Sequence, residues 1–229
     1  MNRSMTTFAL VALLWGGSGT LLHGQVLMQE PLGETTEPKM ALFTLSLAPG
    51  RAVPSHQYAG VVFAYVLEGA IENLAEPGQP RIHRAGDFFH ERPGQVHRTF
   101  RNLSETTPAK ILVLQNAGTL PPGVKPLLHE SLTDLTNQEI SLTKNTTPPG
   151  GASPGPHKHS GPVFAYLVKG EVESQVEPGE PTVYRSGEVF YEPPLHTHRF
   201  YRNLSKTEPA ELLVFQVVPK GQPRTIRVD

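Results

Sequence analysis

Short apolar runs separated by turn residues recur along most of the chain. Residues 64–67, 71–74, 88–89 and 111–114 are runs of this kind, and Gly or Pro residues lie in the segments between them. Short strands with turn signals at close spacing are typical of a β-sandwich or a small barrel, and such a barrel can hold one small ligand. No long stretch has the periodicity of an amphipathic helix. The pattern therefore predicts an all-β chain.

The same pattern occurs twice along the sequence. A shift of 101 residues aligns residues 55–115 with residues 156–216 without a gap, and 29 of these 61 pairs are identical. Self-similarity of this extent indicates a duplicated domain. We therefore predict two tandem barrels, residues 26–127 and residues 128–229, joined near the proline-rich segment at Pro121.

The first 24 residues have a different character from the rest. Arg3 precedes an apolar run at residues 8–15, and a Gly/Ser patch follows at residues 16–19. An apolar run this short is typical of a secretory signal peptide and does not span a bilayer comfortably. We predict that residues 1–24 are a signal peptide and that the protein is secreted or periplasmic, with no stable membrane span after processing. An uncleaved N-terminal anchor is the alternative.

Composition narrows the classes of partner. The formal net charge is -1 and charged residues make up 18% of the chain, so a nucleic acid or an anionic membrane is not expected as a partner. The chain has no cysteine, which excludes a disulfide framework. A small molecule is the expected ligand or substrate, and a homodimer is left open.

Three histidines in the second copy have the spacing of metal ligands. His157 and His159 are two residues apart, so on a strand they project from one face. His198, from a later predicted strand, could complete a set of three imidazoles that binds a divalent metal and leaves positions open for water or substrate. Packing or surface placement is the alternative for any one histidine, but it explains three at this spacing poorly.

Around these histidines the sequence resembles the two motifs of the cupin superfamily. The resemblance covers both copies and implies a tandem, or bicupin, arrangement of double-stranded β-helix (jelly-roll) barrels with a metal inside the barrel. The motif positions that match in the second copy are His157, His159, Gly170, Gly187, Pro193, His198 and Asn203.

The second copy departs from the motif at its acidic residue. The glutamate of the first motif is replaced by Val163, seven residues before Gly170. Glu192 offers a carboxylate in its place, and it recurs in the first copy as Glu91. We expect Glu192 to point into the barrel as a fourth ligand, an orienting partner of a ligand, or a catalytic proton acceptor. The alternative is a surface glutamate at a strand end.

The first copy carries a weaker version of the same set. His56 and His97 match the motif, but Tyr58 stands where the second copy has His159. With Glu91, these side chains could still hold a metal. The favoured interpretation is a barrel that has lost its metal and serves as a scaffold.

Several functions fit such a site. With Fe(II) it would suit oxygen-dependent chemistry of the cupin dioxygenase type, and with Mn(II) or Zn(II) it would suit an isomerase or a lyase. A barrel that binds a small molecule or a metal without turnover is the alternative to an enzyme, because a fold does not fix a function.

Overall fold

The computed structural model describes residues 23–32, 39–116, 118–132 and 137–228. The predicted signal peptide lies outside the described residues, apart from His23 and Gly24, which begin the first strand. The described residues form strands and turns and contain no helix. Consequently no apolar helix of membrane-spanning length occurs in this part of the chain. The predicted all-β fold is confirmed.

The chain divides into two compact units. The first, within Gly33–Thr136, contains ten strands: β2 Lys39–Leu47, β3 Ala52–Val53, β4 His56–Gln57, β5 Val62–Glu68, β6 Ala70–Glu76, β7 Arg81–Arg84, β8 Phe88–Glu91, β9 Val96–Asn102, β10 Ala109–Asn116 and β11 Leu128–Ser131. They form one antiparallel sheet in the order β11-β2-β10-β5-β8 and a second in the order β3-β9-β6-β7, with β4 also paired to β9.

The second unit also contains ten strands: β1 His23–Pro31, β12 Gln138–Thr147, β13 His157–His159, β14 Val163–Lys169, β15 Glu171–Val176, β16 Thr182–Arg185, β17 Val189–Glu192, β18 Thr197–Asn203, β19 Ala210–Pro219 and β20 Thr225–Arg227. One antiparallel sheet has the order β1-β12-β19-β14-β17, and the other has the order β16-β15-β18-β13-β20. Each unit is thus a two-sheet antiparallel barrel of the jelly-roll type, as the resemblance to the cupin superfamily implies.

The first and last strands of the units make their boundaries differ from the predicted ranges. Strand β1 pairs with β12 along its whole length, so residues 26–31 belong to the second unit and not to the range 26–127. Strand β11 pairs with β2 and stays in the first unit, although the range 128–229 includes it. Each added strand covers the backbone N–H and C=O groups of what would otherwise be a sheet edge.

The identical Val-Phe-Ala-Tyr segments of the two copies, residues 62–65 and 163–166, are buried in both units. In the second unit, residues 163–167 are buried on both faces of β14, which explains why this strand reads as a continuous apolar run. Val163 belongs to the cluster that fills the barrel, together with Phe190 on β17 and Tyr201 on β18. Phe164 faces the other way and is fully buried.

Candidate metal centre

Two neighbouring strands of one sheet bring the three histidines of the second barrel together. His157 and His159 lie on β13, and His157 is the direct cross-strand partner of His198 on β18. The ring centroid of His157 lies 4.9 Å from that of His159 and 4.9 Å from that of His198. The three rings each offer one nitrogen, and these nitrogens lie within 4.8 Å of one another. The set could therefore hold a metal ion.

Each of the three rings is held by a hydrogen-bond partner outside the cluster. His157 Nδ1 lies 3.0 Å from the Gly155 carbonyl oxygen, and His159 Nδ1 lies 3.1 Å from the Arg224 carbonyl oxygen. His198 Nε2 lies 2.8 Å from Ser174 Oγ. Partners of this kind fix the orientation of a ligand imidazole and leave its second nitrogen for the metal.

Glu192 reaches the histidines from the facing sheet. It lies on β17 directly opposite Val163 on β14, and side chains of such a cross-strand pair share one face. The carboxylate thus enters the barrel beside the position where the motif glutamate is missing. Glu192 is 5% exposed, and its Oε2 atom lies 3.2 Å from His159 Nε2 and 3.1 Å from His198 Nδ1.

The electrostatics of the cluster favour an ionised carboxylate. Burial alone would raise the pKa of Glu192, but the rings of His198 and His159 hold this pKa well below its usual range. Burial alone would lower the pKa of His159, but Glu192 and the Arg224 carbonyl raise it above its usual value. Burial lowers the pKa of His157. The site therefore holds an ionised carboxylate beside the three imidazoles.

Two buried atoms at the centre of the cluster lack a hydrogen-bond partner. Glu192 Oε2 and His198 Nδ1 are close together, but neither has a partner with hydrogen-bonding geometry within the described ranges. Buried polar atoms without partners are costly unless something satisfies them. Three imidazoles and a carboxylate suit Fe, Mn or Zn, so the residues present fit a divalent metal.

The first barrel also brings its equivalent residues together, partly through hydrogen bonds. His56 is the cross-strand partner of His97, and the Tyr58 ring lies 4.7 Å from that of His56. Glu91 Oε1 accepts a hydrogen bond from Asn73 Nδ2 at 3.0 Å, and Asn73 Oδ1 lies 2.7 Å from His97 Nε2. The amide thus bridges the carboxylate and the histidine, and His97 Nε2 also lies 3.3 Å from Glu91 Oε1 directly.

Burial dominates the protonation of this first-barrel network. Burial raises the pKa of Glu91 to about 7 and lowers the pKa of His97 to about 4. It also raises the pKa of Tyr58 well above its usual range, and Glu91 adds to this effect. At a pH between about 4 and about 7, Glu91, His97 and Tyr58 are therefore all neutral. In the part of the chain that the structure describes, only the second barrel holds a cluster of three metal-ligating side chains.

The sequence did not single out four groups that contact the histidines. These are Ser174, Gln216 and the backbone carbonyls of Gly155 and Arg224. Gln216 is identical to Gln115 at the same repeat position, and a polar residue kept at a buried strand position was the available signal. Ser174 replaces Asn73, and nothing in the sequence marks the Arg224 carbonyl.

Several solved structures share this fold. AerE from Microcystis aeruginosa matches with a TM-score of 0.62 and 18% identity over 90% of this chain and 95% of that protein. A salicylate 1,2-dioxygenase from Pseudaminobacter salicylatoxidans matches with a TM-score of 0.58 and 14% identity, over 79% of this chain and 71% of that one. A mutant oxalate decarboxylase, OxdC, from Bacillus subtilis matches with a TM-score of 0.61 and 14% identity, over 92% and 75%. Identities this low show a shared fold and no more.

A search of curated proteins gave no significant match. The sequence itself matches the family described as "Cupin domain" twice, at residues 43–115 and residues 145–216. These two segments lie one within each barrel and together cover more than half of the chain. The chain therefore belongs to the cupin family and is a bicupin.

Proposed function

We propose that this protein is an exported, metal-dependent oxidoreductase of the cupin dioxygenase type that acts on a small molecule in its second barrel. The observation that carries the proposal is the convergence of three ring nitrogens and a buried carboxylate at one point. Fe(II) is the metal that best suits oxygen-dependent chemistry at such a set.

Some residues of the second barrel would bind the metal, and others would orient the residues that bind it. His157, His159 and His198 would hold the metal, and their outer hydrogen-bond partners keep the ring planes fixed. When bound, the metal would supply open positions for oxygen and substrate. Glu192 would serve as a fourth ligand, or it would accept a proton while orienting His159 or His198.

Two of the four donors are shielded from solvent by the walls of the site. His198 is 4% exposed and Glu192 is 5% exposed, so both lie inside the barrel. Phe190 and Tyr201 belong to the apolar cluster beside them. A dry site strengthens the attraction between a metal and the ionised carboxylate.

Similarity to solved enzymes supports the choice of a first reaction to test. Two proteins of the same fold are a salicylate 1,2-dioxygenase and an oxalate decarboxylase. Both act on small organic acids, as their names state, and the first uses oxygen. Their low identity to this chain leaves the substrate to experiment.

Binding without turnover is a second candidate, favoured by the burial of His198 and Glu192. A metal held at this site could serve storage or structure. Metal content and oxygen consumption separate the two candidates.

The test is elemental analysis of anaerobically purified protein, followed by oxygen uptake on a panel of phenolic and diketone compounds. We expect bound iron and oxygen consumption with at least one compound, and no consumption by the His157→Ala variant. A redox-inert metal without turnover would favour the binding candidate, and turnover without oxygen would favour an isomerase or lyase.

Glu192→Gln is expected to weaken metal affinity or activity by about 10- to 100-fold, the range that follows loss of a supporting partner. The substitution keeps the size of the side chain and removes its charge. Calorimetric titration with metal measures the change. The same substitution at Glu91 is the matched control, and equal effects of the two would contradict a special role for Glu192.

Export is proposed from the sequence of residues 1–24. We expect mass spectrometry of the native protein to show that this segment is absent. Native protein that retains it would contradict removal and would favour an N-terminal anchor.

A further inference from the structure

A short segment near the end of the chain runs beside the strand that carries two of the metal-site histidines. Within it, β20 pairs antiparallel with β13, and Ile226 lies opposite Lys158. Val228 N donates to the Pro156 carbonyl oxygen at the far end of this pairing. We call residues 222–228 the strap. It forms the edge of the histidine-bearing sheet.

One carbonyl of the strap gathers three donors from the site. The Arg224 carbonyl oxygen lies 3.1 Å from His159 Nδ1 and accepts hydrogen bonds from Gln216 Nε2 at 2.7 Å and Ser160 N at 3.4 Å. A backbone carbonyl on Nδ1 selects the ring form whose Nε2 is available to a metal. The position of the strap therefore determines how the His159 ring is presented.

The side chain of Arg224 fixes the strap from the other direction. Its guanidinium donates to Gln29 Oε1 at 2.6 Å, and Gln29 Nε2 donates to Glu139 Oε2 at 2.7 Å. These contacts connect the strap to β1 and β12 of the facing sheet. The strap is thus tied to both sheets of the second barrel.

The first barrel lacks this arrangement among its described strands. There β4, which carries His56, pairs with β9 alone. Tyr58 takes the place of His159, so no imidazole at that position needs an outer partner. The strap thus accompanies the barrel that has the complete histidine set.

We propose that the strap is a positioning element for His159 and that its pairing with β13 is coupled to metal occupancy. The inference rests on the proposed metal site. A metal on Nε2 favours the ring orientation that the strap carbonyl holds, so a paired strap tightens metal binding. By reciprocity, bound metal makes strap opening rarer.

Ile226→Pro tests the coupling. Ile226 is 37% exposed, so its side chain contributes little to the core, whereas proline removes its backbone N–H from the pairing with Lys158. We expect competition titration against a chelator to give an affinity about 10- to 100-fold weaker than wild type. Ile226→Val, which keeps the N–H, is the matched control and should bind as wild type does.

Hydrogen exchange provides a readout that needs no substituted protein. In wild type we expect the amides of Ser160 and Val228 to exchange more slowly with metal than without it, because both donate across this pairing. Amide exchange rates that do not change with metal would overturn the strap inference but not the metal site. Equal metal affinities of Ile226→Pro and Ile226→Val would do the same. Wild type without metal in the second barrel would overturn both.

Discussion

Replacing His157 with alanine is expected to lower the metal affinity of the second barrel by at least about 100-fold. Loss of an outer partner of a ligand already costs about 10- to 100-fold, and a ligand itself contributes more. His157 also stands between His159 and His198, so its loss removes the central imidazole of the set. His198→Ala should have a similar effect. Metal titration of each purified variant measures it.

Two other histidines provide matched controls for this prediction. His56 occupies the same repeat position in the first barrel, and His196 is an exposed residue near the second site. Alanine at either position should leave the metal content unchanged. If His56→Ala empties the protein of metal and His157→Ala does not, the two barrels have been assigned in the wrong order.

Glu91→Gln is expected to remove a pH-dependent loss of stability from the first barrel. Burial raises the pKa of Glu91 from 4.5 to about 7, so the folded state holds this proton more tightly than the unfolded state. The stability that this contributes is fully present below pH 4.5 and is lost as the pH rises through about 7. At about 1.4 kcal/mol per pKa unit, the loss amounts to about 3 kcal/mol.

Chemical denaturation of metal-free protein at pH 4.5 and pH 8 measures this difference. Relative to wild type, Glu91→Gln should gain about 3 kcal/mol in free energy of unfolding between the two pH values. Glu105→Gln, at an exposed position of the same barrel, should track wild type. A Glu91→Gln protein whose stability follows the wild-type pH profile would show that Glu91 ionises normally.

The duplication made the fold predictable. The identity between the copies predicted two barrels, and the short apolar runs predicted strands in place of helices. The edges of the units were not predictable in the same way. Strand β1 lies outside the repeated segment, and its pairing with β12 is a long-range contact that no local pattern in residues 23–31 announces.

The grouping of the three histidines was predictable because every second side chain of a strand lies on the same face. His157 and His159 share a face by alternation, and His198 follows at motif spacing. Glu192 was predictable from its recurrence as Glu91, and its position opposite Val163 gives that recurrence a physical reason.

The opposite pKa shifts of Glu192 and Glu91 could not be predicted from the sequence. It depends on whether the nearest neighbour is an imidazole, as for Glu192, or the Asn73 amide, as for Glu91. The contact between the Arg224 carbonyl and His159 was also not predictable, because every residue has a backbone carbonyl and β20 is only three residues long.

Anomalous diffraction from crystals grown anaerobically with Mn(II) would test the metal centre most directly. The account predicts a strong peak in the second barrel, within bonding distance of one ring nitrogen each of His157, His159 and His198. It predicts a weak peak or none beside His56 and His97. A peak in the first barrel alone, or no peak at the three histidines of the second barrel, would contradict it.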